Sequence, residues 1–300
     1  MSTPNNPPAM PVPDPRALVD FFARSLTSFT SSSEPFRVLC TLPHLSNNNS
    51  HPPSPRPQQQ HPAGDIIVLD SSFNPPTTAH ASMVRTAVSS PRDRVLLLLA
   101  VENADKAPRP ASFPLRLCMM EALGRELVAA AAAAAAQGHG GEVDVGVTRK
   151  PYFHDKARAI AESGFYGGGS DITFLAGYDT LVRILEPAYY GGSEGMRAAL
   201  DPFFDRARLR VTMRTDGKWG GREEQEAYVK GLAEEGGKME EIGGRREWMR
   251  RVELVDGFGD GVSSSRVREV VRMGGSGGVL DGLVGEEVRG WVEREALYNE

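Results

Sequence analysis

The amino-acid sequence predicts an α/β fold built on a parallel sheet, and three observations carry that prediction. From Asp65 onward, short apolar runs alternate with longer segments of helical periodicity, the order that lays parallel strands beside crossover helices. The run Val95-Leu-Leu-Leu-Leu-Ala100 is unbroken, which marks a strand covered on both faces. Of 300 residues, 40% are hydrophobic and 24% charged, so the chain can bury a sizeable core.

In chain order, residues 1–15 are rich in Pro and Asn and are expected to be disordered. Over residues 16–43, Leu18, Val19, Phe21, Phe22, Leu26 and Phe29 recur at helical spacing, and Phe36-Arg-Val-Leu-Cys-Thr-Leu42 reads as a strand. This stretch is expected to form a helix–strand extension that packs on the main domain. Residues 44–64 hold almost no apolar side chain to offset ordering entropy, and a disordered linker is expected there. Composition changes at its end: 13 of the 22 prolines lie at or before Pro62, whereas all 32 glycines lie at Gly64 or later. The main domain then runs over 65–300, with strands expected at 66–69, 95–101, 143–147, 172–175, 209–213 and 252–255. Helices are expected around 79–89, 114–136, 179–185, 222–232, 265–273 and 286–296, the alanine run 129–136 being an extension of high helix propensity.

Charge and cysteine usage exclude several function classes. A net charge of -5 leaves no global basic field for nucleic acid or an anionic membrane. Cys40 and Cys118 lie far apart beside apolar residues, giving neither a disulfide framework nor a zinc cluster, which suits a reducing interior. The run 95–101 is too short to cross a bilayer, and the first residues do not pair a charged segment with an apolar one. The expected location is intracellular, cytoplasmic or nuclear or both. Oligomeric state is not legible.

Two segments carry chemistry. In Ile66-Ile-Val-Leu-Asp-Ser-Ser-Phe-Asn-Pro-Pro-Thr-Thr-Ala-His80, a buried strand ends at Asp70, a turn follows, and Thr77 or Thr78 caps a helix whose first turn carries His80. Helix amino termini offer unpaired N–H groups and positive potential to phosphates, and strand carboxyl ends are where α/β sheets bind ligands. In Val262-Ser-Ser-Ser-Arg-Val-Arg268, Val267, Val270 and Val271 define a buried helix face, placing Ser263 to Ser265 at the helix start with Arg266 and Arg268 in its first turn. Cations there oppose the helix dipole, and an anion between the arginines and the serine N–H groups would remove the conflict.

Ser72-Phe-Asn-Pro-Pro-Thr77-x-x-His80 resembles the [H/T]xxH signature of the nucleotidyltransferase superfamily, in the S-F-N-P form of the nicotinamide mononucleotide adenylyltransferases. The serine/arginine segment resembles that family's I-S-S-T-x-I-R triphosphate motif, and three further matches follow in order. These are Lys106 after the second strand, Gly177-Tyr-Asp179 followed by Pro187 to Tyr190, and a last helix up to Tyr298. The resemblance implies a Rossmann-like nucleotidyltransferase domain over 65–300 that catalyses ATP + nicotinamide mononucleotide → NAD+ + pyrophosphate. His80, Lys106 and Arg268 would be the catalytic residues. Ser72, Phe73, Thr77, His80, Gly177, Asp179, Ser263, Ser264, Ser265 and Arg268 would bind ATP, with helix capping as the other reading of Asp179. Ser71, Ser72, Phe73 and Asn74 would receive the acceptor, with Tyr152 or Phe153 stacking on its ring or sitting in the core. Mg2+ would be bound through substrate phosphates and water, without protein ligands. Ser71 departs from the family's usual glycine, which bears on acceptor identity.

Competing motifs fail: Gly257-x-Gly259-x-Gly261-Val262 lacks the last glycine of a dinucleotide fingerprint, and no Gly-Lys pair is followed by the Ser/Thr of a P-loop. Two other readings fit the same residues: a nucleotidyltransferase for a different phosphorylated acceptor, such as phosphopantetheine or a polyol phosphate, and a catalytically idle nucleotide-binding regulatory protein.

Overall fold

The computed structural model describes residues 14–44, 53–58, 64–101, 111–134, 141–214, 218–257 and 261–299. Among them, seven strands form one sheet: β1 (Phe36–Leu42), β2 (Ile66–Asp70), β3 (Arg94–Ala100), β4 (Val143–Thr148), β5 (Ile172–Gly177), β6 (Ala207–Thr212) and β7 (Val252–Val255). The helices are α1 (Pro15–Thr30), α2 (Thr78–Ala87), α3 (Phe113–Ala134), α4 (Phe153–Glu162), α5 (Tyr178–Ile184), α6 (Ser193–Arg206), α7 (Arg222–Ala233), α8 (Lys238–Glu241), α9 (Ser264–Arg272) and α10 (Glu286–Arg294). None is long and apolar enough to cross a membrane.

The strand order is β1-β4-β3-β2-β5-β6-β7, with every neighbouring pair parallel except β1 and β4. From β2 to β4 the chain winds outward on one side; it then returns to β2 and lays β5, β6 and β7 on the other. The reversal opens a crevice between the loops that follow β2 and β5, the place where such sheets bind ligands.

Two apolar layers sandwich the sheet. On one face Ile67, Leu69, Leu97 and Val145 meet Phe22 and Phe29 of α1, Leu117 of α3, Val267 of α9 and Trp291 of α10. On the other, Val68, Leu96, Leu98 and Phe174 meet Ile160 of α4, Leu181 of α5 and Leu200 and Phe203 of α6. Coverage of both faces explains why the central strands read as continuous apolar runs. Asp14 caps α1 by accepting from the Ala17 N–H, and Pro15 begins it with its φ already set. β1 adds to the sheet edge antiparallel to β4, from Phe36 opposite Thr148 to Leu42 opposite Val143.

Three features differ from the sequence expectation. Residues 53–58, within the linker expected at 44–64, are held in place. The Thr41 N–H donates to the Ser54 carbonyl at 3.1 Å and the Gln58 N–H to the Phe165 carbonyl at 2.8 Å. Arg56 donates its N–H to Thr41 Oγ1 and its guanidinium to the Thr41 and Pro43 carbonyls and to Glu142, while its carbonyl accepts from Arg94. Composition counted only apolar burial, and here hydrogen bonds and an arginine do the anchoring. Helices α4 and α6 also escaped the periodicity reading. α4 buries Lys156 among its apolar residues, and α6 opens on Gly192 and contains Pro202.

Candidate active site

At the end of β2 the Asp70 carboxylate is ion-paired with the Lys156 ammonium of α4, the two side chains being 10% and 4% exposed. The chain then turns through Ser71 and Ser72 to Phe73, whose φ of 45° lies in the left-handed region. Such backbone costs a non-glycine residue on the order of 1–3 kcal/mol. The fully buried Phe73 ring, 5.5 Å from the His80 imidazole, packs the turn in that shape. Phe73 therefore offers a ligand only its backbone. Ser72 is exposed beside it.

Thr77 is the N-cap of α2 and His80 its third helical residue. His80 Nδ1 accepts the Thr77 N–H at 3.0 Å and lies 2.8 Å from the Thr77 hydroxyl. This is a capping box with imidazole in place of the usual glutamate, which explains the T-x-x-H spacing: only the third residue reaches back to the cap. Since Nδ1 accepts, this bond assigns the ring proton to Nε2, which lies 3.0 Å from Ser71 Oγ. Desolvation pushes the His80 pKa down to about 4, so the half-buried ring is a neutral donor at pH 7.

The second motif docks on the first. Ser263 caps α9 by accepting from the Arg266 N–H at 3.2 Å. Ser264 donates its hydroxyl to the Pro75 carbonyl at 2.7 Å, and Arg268 donates to the Asn74 carbonyl at 2.8 Å and to Ser265 Oγ at 3.0 Å. The side chains of Ser263 and Ser264 are thus used locally, while the N–H groups of Ser264 and Ser265 stand in the first turn, where a helix offers them no internal acceptor. Arg266 pairs with Glu269 on the exposed side and does not join Arg268. Asn74 is buried, its Oδ1 accepting from Tyr298 at 2.9 Å, so the last turn of the chain holds the first motif from behind.

Across the crevice, Gly177 ends β5 and is the N-cap of α5; a Cβ there would come within 2.8 Å of Asp179 Oδ1. Asp179 sits in the first turn of α5 rather than at its cap, bonded to Arg183 at 2.6 Å and 3.7 Å from Arg214. Lys106 lies outside the described residues.

No family model matches the chain. A curated Schizosaccharomyces pombe protein, named "Putative nicotinamide mononucleotide adenylyltransferase", is 34% identical over 214 residues, covering 70% of this chain and 76% of that one. The chain belongs to the nicotinamide mononucleotide adenylyltransferase family. Its fold is similar to that of a Plasmodium falciparum nicotinic acid mononucleotide adenylyltransferase solved with APC, with a TM-score of 0.50, 11% identity and coverage of 79% of this chain and 98% of that one.

In this adenylyltransferase, sequence reasoning passed over a buried cation beside the described site. Arg116 of α3 is buried, donates to the Ala111 carbonyl at 2.9 Å, and has its pKa lowered by desolvation, which outweighs the opposing effect of Tyr298. The signal in sequence was an arginine inside an apolar helix, where charge is rarely placed without purpose. Of the two stacking candidates of the adenylyltransferase, Phe153 is engaged by the edge of Phe174 at 5.3 Å and by the Lys156 ammonium at 5.2 Å. Tyr152 is 42% exposed and stacks on His154, 5.6 Å away and 15° from parallel.

Proposed function

We propose that this adenylyltransferase uses nicotinamide mononucleotide as acceptor and makes NAD+. The acceptor's 5′-phosphate oxygen bonds to the α-phosphorus of ATP, the bond from that phosphorus to the α–β bridging oxygen breaks, and pyrophosphate leaves with the electron pair. Such a displacement needs alignment and neutralisation of growing charge, not a protein nucleophile. One observation carries the reading: Arg268 and Ser264 bond to the Asn74 and Pro75 carbonyls, seating the anion-seeking start of α9 on the turn that presents His80.

In this scheme His80 meets the charge that grows on the α-phosphate, and Thr77 fixes its tautomer. Arg268, the N–H groups of Ser264 and Ser265, and Arg116 take the outer phosphates, with Lys106, which follows β3 in sequence, as a further cation. The backbone of Ser72, Phe73 and Gly177 lies close to the nucleotides, and Asp179 faces the ribose. Tyr152, with its ring accessible, is the better stacking partner for the pyridine. The donors gathered at the turn are hydroxyl, imidazole, guanidinium and N–H groups, which suit phosphate oxygens, and the carboxylate at its start, Asp70, is already paired with Lys156. Mg2+ would accordingly come with ATP, held by phosphates and water without protein ligands, and would supply charge neutralisation there.

The S. pombe relative's name supports nicotinamide mononucleotide as acceptor. The test is the purified full chain with ATP, Mg2+ and either nicotinamide or nicotinic acid mononucleotide, measuring dinucleotide and pyrophosphate. NAD+ formation with the higher kcat/KM for the nicotinamide form is expected. Preference for the nicotinate form corrects the acceptor, and no dinucleotide from either removes the reading.

A further inference from the structure

Helix α4 begins just beyond the carboxyl end of β4, at the crevice end of the sheet, and its start lacks the usual means of holding itself. Tyr152 is the N-cap but makes no side-chain hydrogen bond to the first turn, where Ser, Thr, Asp or Asn would. Lys156 stands one turn in, its N–H donating to the Tyr152 carbonyl at 3.0 Å. A cation at a helix start opposes the dipole, and this one is buried. Asp70 resolves the conflict by pairing its carboxylate with the ammonium, and the Phe153 ring lies beneath the same ammonium, 5.2 Å from Nζ to centroid.

Asp70 is a fixed point. It ends β2 opposite Leu98 of β3, and the next N–H, that of Ser71, still bonds to the Leu98 carbonyl at 3.3 Å. Helix α4 otherwise packs chiefly on α6 and β1, so the pair is what ties its first turn to the strand that leads into Thr77 and His80. One turn before Lys156, the Tyr152 ring lies 5.6 Å from that of His154 and 6.4 Å from that of Tyr190.

We propose that the Asp70–Lys156 pair is a positioning strut: it locks the start of α4 to the end of β2 and thereby sets, through Tyr152, how tightly the acceptor's ring is held. This rests on the reading above in which Tyr152 stacks on the pyridine. Neither charge is offered to the substrate, because each neutralises the other and the ammonium is buried. Uncharged side chains could fill the same space but would lack the direction of a hydrogen-bonded ion pair, which is how such a pair fixes register.

Removing either partner alone leaves a buried charge unpaired and is expected to lower thermal stability sharply, so the decisive variant carries Asp70→Asn and Lys156→Met together. This charge-free double variant is expected to recover most of the stability lost in the single ones. Its KM for nicotinamide mononucleotide is expected to rise roughly five- to tenfold, the size of a lost aromatic contact, with kcat and the KM for ATP within about twofold of wild type. Tyr152→Ala should raise the same KM by a similar factor, and all three changes combined should do no more than Tyr152→Ala alone, because the strut acts through that ring. A merely structural role would restore the acceptor KM along with stability. A wild-type acceptor KM in the double variant, or effects that multiply, overturns the proposal. Asp70→Glu, which keeps both charges and moves the anchor by one methylene, serves if the double variant does not fold: a raised acceptor KM is expected, and an unchanged one overturns the proposal.

A second measurement needs no turnover. In hydrogen exchange of the full chain, the amides of Lys156 and Ala157 should exchange faster in the double variant than in wild type, while those of α6 stay as protected as before. Equal protection overturns the strut. If wild type makes no dinucleotide, the adenylyl-transfer reading fails and exchange alone decides the strut. If dinucleotide forms but Tyr152→Ala keeps the wild-type acceptor KM, the stacking reading fails and the proposal with it.

Discussion

His80 is set by its neighbours more than by its own chemistry. The capping box fixes its ring, and burial holds its pKa near 4. The sign of the pH dependence follows. As pH falls from about 6.5, where an unfolded histidine takes up a proton, to about 4, where the folded one does, the unfolded state binds more protons and the native state loses stability; above 6.5 the contribution is flat. His80→Gln should remove that acid-side loss while keeping the cap, because glutamine also serves at the third position of a capping box. Its melting temperature at pH 7 should stay close to wild type while kcat falls about 10²–10³-fold, measured by NAD+ formation. A large drop in melting temperature with proportionate kcat would make His80 a structural residue. For Arg268→Ala the expectation is weaker ATP binding and turnover by about tenfold or more, with Arg268→Lys recovering only part because a point charge lacks the guanidinium fork. Steady-state ATP kinetics decide it.

Among the elements, α9 and the segment 53–58 both anchor a distant stretch of backbone through polar groups, α9 in addition to the core contacts of Val267 and Val271. α9 grips the Asn74 and Pro75 carbonyls through Arg268 and Ser264. Arg56 binds two carbonyls, a carboxylate and a threonine hydroxyl at the outer sheet edge, beside the buried Arg94–Asp144 pair. Arg56→Ala leaves those carbonyls and Glu142 to find new partners, and should cost about 1–3 kcal/mol by chemical denaturation. Activity at 25 °C should persist, because the segment bonds to the edge away from the crevice. An unchanged midpoint would show that water replaces Arg56 without penalty.

At the scale of the molecule, the amino-terminal extension shares the core of the rest. Phe22 and Phe29 are fully buried in the layer that contains α3 and α10, and β1 occupies the hydrogen-bonding edge of β4. A chain beginning at Asp65 would expose that apolar surface and leave β4 with an open edge, a template for aggregation. Such a truncation should be insoluble or bind hydrophobic dyes strongly, whereas a chain beginning at Asp14 should remain monodisperse and active. Gel filtration of the two proteins tests this. A soluble, active 65–300 fragment would show that the extension is an accessory.

Much of the fold and of the local geometry of the candidate site was legible because it depends on local rules. Six of the seven strands are centred where apolar runs predict them from Asp65 onward, and β1 where Phe36 to Leu42 predicts it, since burial on both faces writes itself into consecutive residues. The strand–turn–helix motif and the serine-capped helix were readable because capping and dipole effects act within one turn. What chain-local reasoning could not reach were partners distant in sequence. It did not show that Lys156 neutralises Asp70, that Tyr298 holds Asn74, or that Ser71 meets His80. By itself the sequence determined the parallel α/β class and the two helix-start segments proposed to meet phosphate, because periodicity and helix termini are short-range properties. Only the tertiary structure decided that the two segments dock on one another, because winding the strands outward from β2 on both sides brings residues 74 and 268 within hydrogen-bonding distance.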